Sequence, residues 1–222
     1  MFSKYFQQVL FLKDETNGWR HLRQTVSPLF TTGKLKKLYS NLDKPMRNLL
    51  ENLDGQLAKR NTDHLDDFDP ILNFKRFTWD VTLNLFFSVK FNSFKIEDDS
   101  FIQQFLSAKP TNTFKNILAL FMPLCIGRHF KITPMDTKTY NYMVNLILNC
   151  IEQRKKDTAT NYNDLLNLLI ETDLNNEEIV GQCLGLFLGG FESVATTCSF
   201  ALYGKFYYFT ALHCLPNPIG SA

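Results

Sequence analysis

Gly189-Gly190-Phe191-Glu192-Ser193-Val194-Ala195-Thr196-Thr197 lies in the most apolar part of the chain, and its reading decides the fold. At about 3.6 residues per turn, Leu184, Leu188, Phe191, Ala195, Cys198 and Leu202 form one apolar stripe. Gly185, Gly189, Glu192 with Ser193, and Thr196 form a small-and-polar stripe beside it. The segment is therefore expected to be a helix, opened by a capping box of Asn175 and Glu178 and running to about Tyr203. Adjacent glycines cost about 1 kcal/mol each relative to alanine inside a helix, so something should need the missing side chains. A flat group could approach there, or another helix could pack closely. Glu192 and Ser193 place an acid and a hydroxyl beside the depression, a pairing suited to proton delivery. A helical serine also commonly bonds back to its own preceding turn, so the segment alone leaves both readings open.

Outward from this helix, the chain keeps helical periodicity. Trp19, Leu22, Val26, Leu29 and Phe30 recur at three and four, with Trp19 and Arg23 one turn apart and Pro28 near the end. Leu35, Leu38, Leu42, Leu49, Leu53 and Leu57 predict one long amphipathic surface helix. Asp69-Pro70 opens another, with Phe74, Phe77, Val81, Leu85 and Phe86 as its buried face and Val89 to Phe94 as the exit loop. Asp98, Asp99 and Ser100 are expected to cap a short helix through Phe101, Phe105 and Leu106 that stops by Pro110. Ile117 to Ile126 is an apolar run broken only by Pro123, too short for a bilayer span of about 20 residues. It reads as buried core, with membrane-surface contact as the alternative. Thr133-Pro134 starts a helix that turns Met143, Leu146, Ile147, Cys150 and Ile151 inward. It ends in Arg154-Lys155-Lys156, read as a solvated face suited to the negative end of the helix dipole. Asn163-Asp164 caps a short Leu165 to Ile170 helix.

Composition supports one partial globular domain: 222 residues, 45% hydrophobic and 14% aromatic, with no repeat or flexible linker. Lys+Arg 24 against Asp+Glu 22 leaves a net charge of +2, too weak a field to argue for nucleic acid. The five cysteines form no Cys-x-x-Cys pair, so disulfides are not expected, and the four histidines lack metal-ligand spacing, so no metal site is expected. A membrane span from Ile179 to Tyr203 is disfavoured by Gln182 and Glu192, since an acid near the bilayer centre costs about 2.5 kcal/mol or more.

Gly189 to Thr197 resembles the long-helix signature of the cytochrome P450 family, in which Ala-Gly-x-Glu/Asp-Thr is usual. Trp19-Arg20-His21-Leu22-Arg23, followed by Ser27-Pro28-Leu29-Phe30-Thr31 and Gly33-Lys34-Leu35-Lys36, is similar to that family's Trp-x-x-x-Arg helix and the segment after it. Thr78-Trp79-Asp80-Val81, Phe86-Phe87 and Asn92-Ser93-Phe94 are similar to the stretch between those helices in the animal microsomal branch, which oxidises foreign compounds and lipids. The resemblance runs from about Leu10 to Tyr203.

It implies a mainly α fold: the central helical part of the cytochrome P450 fold, ending just after the long distal helix. Residues 1–203 are then a partial domain and 204–222 a divergent tail, attributed to a gene-model or splicing artefact. The implied cofactor is heme b, with Trp19 and Arg23 at a propionate, Gly189 and Gly190 giving room, and Glu192 and Ser193 in the proton relay. The implied partners are a small lipophilic substrate and an NADPH-dependent reductase. The implied location is the cytosolic face of the endoplasmic reticulum membrane, touched through Ile117 to Ile126. Gly189 stands where the family usually has Ala, and Ser193 where it usually has Thr, losing the methyl that fixes the rotamer. The family's Glu-x-x-Arg and Phe-x-x-Gly-x-x-x-Cys motifs are absent from the 19 residues after Tyr203, and Cys214 lacks a glycine-rich loop. The resemblance thus implies a monooxygenase by family, with this chain inactive for want of the heme-ligating cysteine. The alternative is a noncatalytic helical binding protein.

Overall fold

The computed structural model describes residues 4–5, 8–10, 13, 18–65, 67–95, 137–157, 160 and 162–214. The expectations for Asp98 to Leu106, Ile117 to Ile126 and Thr133-Pro134 lie outside the described residues. Among the described residues seven α-helices follow one another: α1 Trp19–Val26, α2 Thr32–Leu38, α3 Asp43–Arg60, α4 Pro70–Phe87, α5 Thr137–Lys156, α6 Leu165–Ile170 and α7 Asn176–Cys214. Short 3-10 turns at Ser27–Phe30 and Tyr39–Leu42 join the first three, and no strand occurs among the described residues.

The single helix expected from Leu35 to Leu57 is in fact α2, a 3-10 turn and α3. Pro45 is the cause. Its ring would collide with the Asn41 carbonyl in a continuous helix, and it has no N–H to give, so α3 restarts with Pro45 in its first turn. The released Asn41 carbonyl accepts from the Asn84 side chain at 2.6 Å, tying this turn to α4.

Helix α4 opens as its sequence predicts, with the Asp69 carboxylate accepting from the Leu72 amide at 3.0 Å and Pro70 in the first position. Its buried face is rotated from the expected one. Phe74, Phe77, Val81 and Leu85 are only half-buried, whereas Thr78, Trp79, Asp80, Leu83, Phe86 and Phe87 are buried. The difference arises because α4 is central: it packs against α7, α3 and α6, so no single stripe describes its interior. After Ser88, whose φ of 54° ends the helix, the exit loop is fastened back onto α4. The Asp80 carboxylate accepts the Ser93 amide at 3.0 Å, the Arg76 guanidinium donates to the Ser93 carbonyl at 3.0 Å, and the Ser93 hydroxyl donates to the Arg76 carbonyl at 3.1 Å. Two of the stretches that carried the family resemblance are therefore bonded to each other.

Helix α5 turns Met143, Ile147 and Ile151 inward as expected. Its last turn differs from expectation: Arg154 is not solvated but buried, while Lys155 and Lys156 stay exposed. The Arg154 guanidinium grips Asp164 in a fork of 2.5 and 2.6 Å and stacks over the Tyr162 ring at 4.4 Å. Asp164 also caps α6 through the Asn167 amide at 2.9 Å and accepts the Ser88 hydroxyl at 2.5 Å, so the ends of α4, α5 and α6 meet on one carboxylate.

Helix α7 begins with the predicted capping box: the Glu178 amide donates to Asn175 at 3.0 Å and the Asn175 amide donates to Glu178 at 3.1 Å. It continues past Tyr203 to Cys214. Gly204 alone does not stop it, because one glycine costs only about 1 kcal/mol, and the next proline is Pro216. The N-terminal segment lies against its start. Val9 is wholly buried, and the Gln182 side chain donates to the Gln8 carbonyl at 2.5 Å. A Cβ on Gly181 would stand 2.6 Å from Gln8 Cβ and 2.8 Å from the Tyr5 carbonyl, so only glycine admits this approach.

By length and composition Asn176–Lys205 of α7 could cross a membrane, but 56% of its most apolar window is buried within the fold. The core gathers Leu22 and Val26 of α1, Trp79 and Leu83 of α4, Met143 and Ile147 of α5, Leu166 of α6, and Leu184 and Phe187 of α7. Each such side chain contributes about 1.5–3 kcal/mol by leaving water.

Candidate functional site

The orientation of α7 is set by aromatic rings. Phe187 and Phe191, one turn apart, stack at 5.5 Å between centroids, and Trp79 of α4 meets them edge-on at 5.6 and 6.1 Å. With Phe191 held inward, the adjoining positions turn outward: Gly189, Glu192 and Ser193 are exposed and Gly190 is half-buried. The periodicity expected for Leu184, Phe191 and Ala195 holds, Leu188 and Cys198 are half-buried, and Leu202 emerges into solvent. Phe187, absent from the expected stripe, is one of its deepest members.

A Cβ built on Gly189 or Gly190 meets nothing within 4 Å. Close helix packing is therefore not what these glycines provide among the described residues, and the close approach at Gly181 is to the N-terminal segment. What they leave is an open strip of helix backbone. The Ser193 hydroxyl donates to the Gly189 carbonyl at 2.5 Å, so its hydrogen is committed to the backbone while its oxygen can still accept. The Glu192 carboxylate turns to α4, where Lys75 Nζ lies 3.6 Å away. Sequence reading missed Lys75, although its place four residues before Trp79 puts it on the side of α4 that meets α7.

Trp19 and Arg23 are brought together: the guanidinium sits 5.3 Å from the indole centroid, with Trp19 half-buried and Arg23 exposed. Among the described residues no carboxylate pairs with Arg23, which leaves its fork available for an anion. No hydrogen bond, ion pair or ring contact joins Trp19 or Arg23 to the Gly189–Ser193 turn among the described residues.

The glycine strip beside a hydroxyl and a carboxylate leaves open helix backbone that a flat group could approach, and Arg23, stacked on Trp19, keeps N–H donors that an anion could take. Cys183 is wholly buried and Cys150 half-buried, and burial pushes both thiols up, away from the ionised form that ligates metals. Among the described residues no group of three His, Cys, Asp or Glu could hold a metal ion.

The described fold and this strip define a mainly helical domain built around one long helix with an open, polar-flanked face. The chain belongs to the cytochrome P450 family, a family of monooxygenases: the model of "Cytochrome P450" matches residues 2–204. It is 27% identical to cytochrome P450 6j1 of Blattella germanica over 194 residues, 83% of this chain and 37% of that protein. It is 27% identical to cytochrome P450 3A28 of Bos taurus over 199 residues, 83% of this chain and 38% of that protein. It is 24% identical to the probable cytochrome P450 9f2 of Drosophila melanogaster over 221 residues, 90% of this chain and 41% of that protein. The chain thus spans about two fifths of the length of these curated relatives.

Proposed function

We propose that residues 1–203 form the central helical part of a heme-thiolate monooxygenase that acts on a small lipophilic substrate, with residues 204–222 a tail of different origin. The observation that carries this reading is the outward turn of Gly189, Gly190, Glu192 and Ser193 on a helix whose other side is pinned by Trp79. Heme b, when bound, supplies the iron at which dioxygen is activated, with electrons from NADPH passed by a reductase. The chain's own contributions are binding, shape and protons. Trp19 and Arg23 would hold a propionate, the guanidinium through a charge-assisted fork. Gly189 and Gly190 would let a flat macrocycle and a small oxidant approach the backbone. Glu192 would be the proton source and Ser193 the acceptor that orients a water beside it. Family likeness to animal microsomal members supports a place on the cytosolic face of the endoplasmic reticulum membrane, reached through Ile117 to Ile126.

These 222 residues contain no cysteine in the family's heme-loop setting, so oxygen chemistry is not expected from this chain alone. Hemin titration of the purified chain tests the reading. Binding should quench Trp19 fluorescence, and Arg23→Ala should weaken it by about tenfold, the worth of one charge-assisted contact of about 1.5 kcal/mol. The reduced, carbon-monoxide-treated complex should lack the Soret band of thiolate-ligated heme. Absence of hemin uptake would sink the heme reading, and a thiolate-type band would sink the inactivity.

A second reading, a noncatalytic helical binding protein, draws on an open apolar groove of about 770 Å³. It lies between Leu49, Leu53 and Leu57 of α3, Phe74 of α4, and Leu202 and Tyr203 of α7. Stoichiometric uptake of a partner with a cooperative melt would favour it.

A further inference from the structure

We propose that Lys75 of α4 is a positioning residue for the Glu192 carboxylate. The inference rests on the functional reading only in naming what Glu192 is positioned for. Lys75 Nζ lies 3.6 Å from Glu192 Oε1, and its side chain is 17% exposed against 62% for Glu192. Among the described residues no other carboxylate pairs with Lys75. The stem of the lysine is therefore largely packed away from water, while the glutamate is the more exposed member.

The register of that interface makes the pairing specific. Trp79 lies one helical turn after Lys75 and packs edge-on to Phe187 and Phe191, and Glu192 is the next residue after Phe191. With α4 and α7 crossing as they do, seating the indole on those two rings brings the ammonium to Glu192. The neighbouring hydroxyl does not compete, because Ser193 gives its hydrogen to the Gly189 carbonyl. An ammonium largely withdrawn from water has lost hydration and gains from keeping its one counterion. Lys75 thus holds the carboxylate on the α4 flank of the glycine strip, at a set distance from any group lying over Gly189 and Gly190. A freed Glu192 side chain would spread over solvent-facing rotamers and lose that placement.

Carboxyl-carbon NMR of the full 222-residue chain labelled with ¹³C-glutamate tests this, with the Glu192 resonance assigned by Glu192→Gln. Through-space contact between the Lys75 ε-protons and the Glu192 γ-protons is expected in the unsubstituted chain. Lys75→Met should shift the Glu192 resonance and leave Glu51 and Glu152 in place, and Lys75→Arg should restore it. An unmoved Glu192 resonance in Lys75→Met, or no restoration by Lys75→Arg, overturns the proposal. If Lys75→Met does not fold, the contact in the unsubstituted chain decides: its presence supports the proposal and its absence overturns it. Failure of hemin uptake would sink the functional reading and leave this coupling standing, so the two are separable.

Discussion

Asp80 carries an unusual load for one side chain. It is wholly buried, and that burial pushes its carboxyl up to about 6, against the opposing pull of the Ser93 amide and hydroxyl, the Asn48 side chain of α3 and the Arg76 charge one turn earlier on α4. An acid whose folded value lies above its unfolded one stabilises the fold fully below the unfolded value and loses that contribution as pH rises through the folded value. Here the window runs from about 4 to about 6, and the contribution is up to about 3 kcal/mol. Urea midpoints should therefore be higher at pH 5 than at pH 7.5, and Asp80→Asn should remove most of that difference; an unchanged pH dependence in the variant would refute the assignment. At this scale the sequence showed some things and hid others. The placing of Gly189, Glu192 and Ser193 on a stripe beside the apolar one, and of Trp19 and Arg23 one turn apart, follows from helical period alone, whereas the exposure of the first three and the burial of Gly185 on the same stripe do not. Asp80, Lys75 and Gly181 were hidden because each acts on a partner distant in sequence: Ser93 across a turn, Glu192 on another helix, and Gln8 near the other end of the chain.

Helix ends were the most legible elements. Asp69, Asp164 and the Asn175–Glu178 box all cap as their residue types demand, because a cap is a contact between near neighbours in sequence. The interiors of α3 and α4 were less legible. Pro45 cut a leucine stripe that looked continuous, and α4 is covered on several sides, which blurs any one-sided pattern. Arg154 shows the same limit, since a Arg-Lys-Lys run reads as solvated until Asp164 arrives from the next helix. Removing Asp164 should expose how much rests there. Asp164→Ala strips the cap from α6, leaves the Arg154 guanidinium buried without its counter-charge and deprives the Ser88 hydroxyl of its acceptor. Breaking one side of a buried pair costs about 3–5 kcal/mol, so denaturant unfolding followed by helical circular dichroism should show a loss of that order. Lys155→Ala, one position from Arg154 but exposed, should leave the midpoint where it is. Equal effects from the two substitutions would mean that Arg154 and Asp164 are not paired in solution.

The whole molecule presents apolar surface that its own described residues do not cover. Beyond Ser199 the long helix leaves the interior: Phe200 is 71% and Tyr203 68% exposed, and Leu202 and Tyr203 wall the groove beside α3. Exposed Leu50 of α3 and Ile71 of α4 add to it. This is where sequence reading had least purchase, because an apolar stripe says only that a face prefers to be covered and not what covers it. The stripe from Leu184 to Leu202 is uniform in sequence, yet Leu184, Phe191 and Ala195 are buried, Leu188 and Cys198 half-buried, and Leu202 open to solvent. Exposed apolar area of this kind drives association in water. The chain should therefore self-associate in a concentration-dependent, open-ended way in sedimentation velocity. Phe200→Lys with Tyr203→Lys should raise the monomer fraction severalfold, since two charges placed on that face must be desolvated for it to be buried. The helical signal should not fall, because neither ring contributes to the core. A double variant that associates as readily as the parent would locate the sticky surface elsewhere. A parent that sediments as one discrete species would favour the binding-protein reading, in which the groove is shaped for a particular occupant.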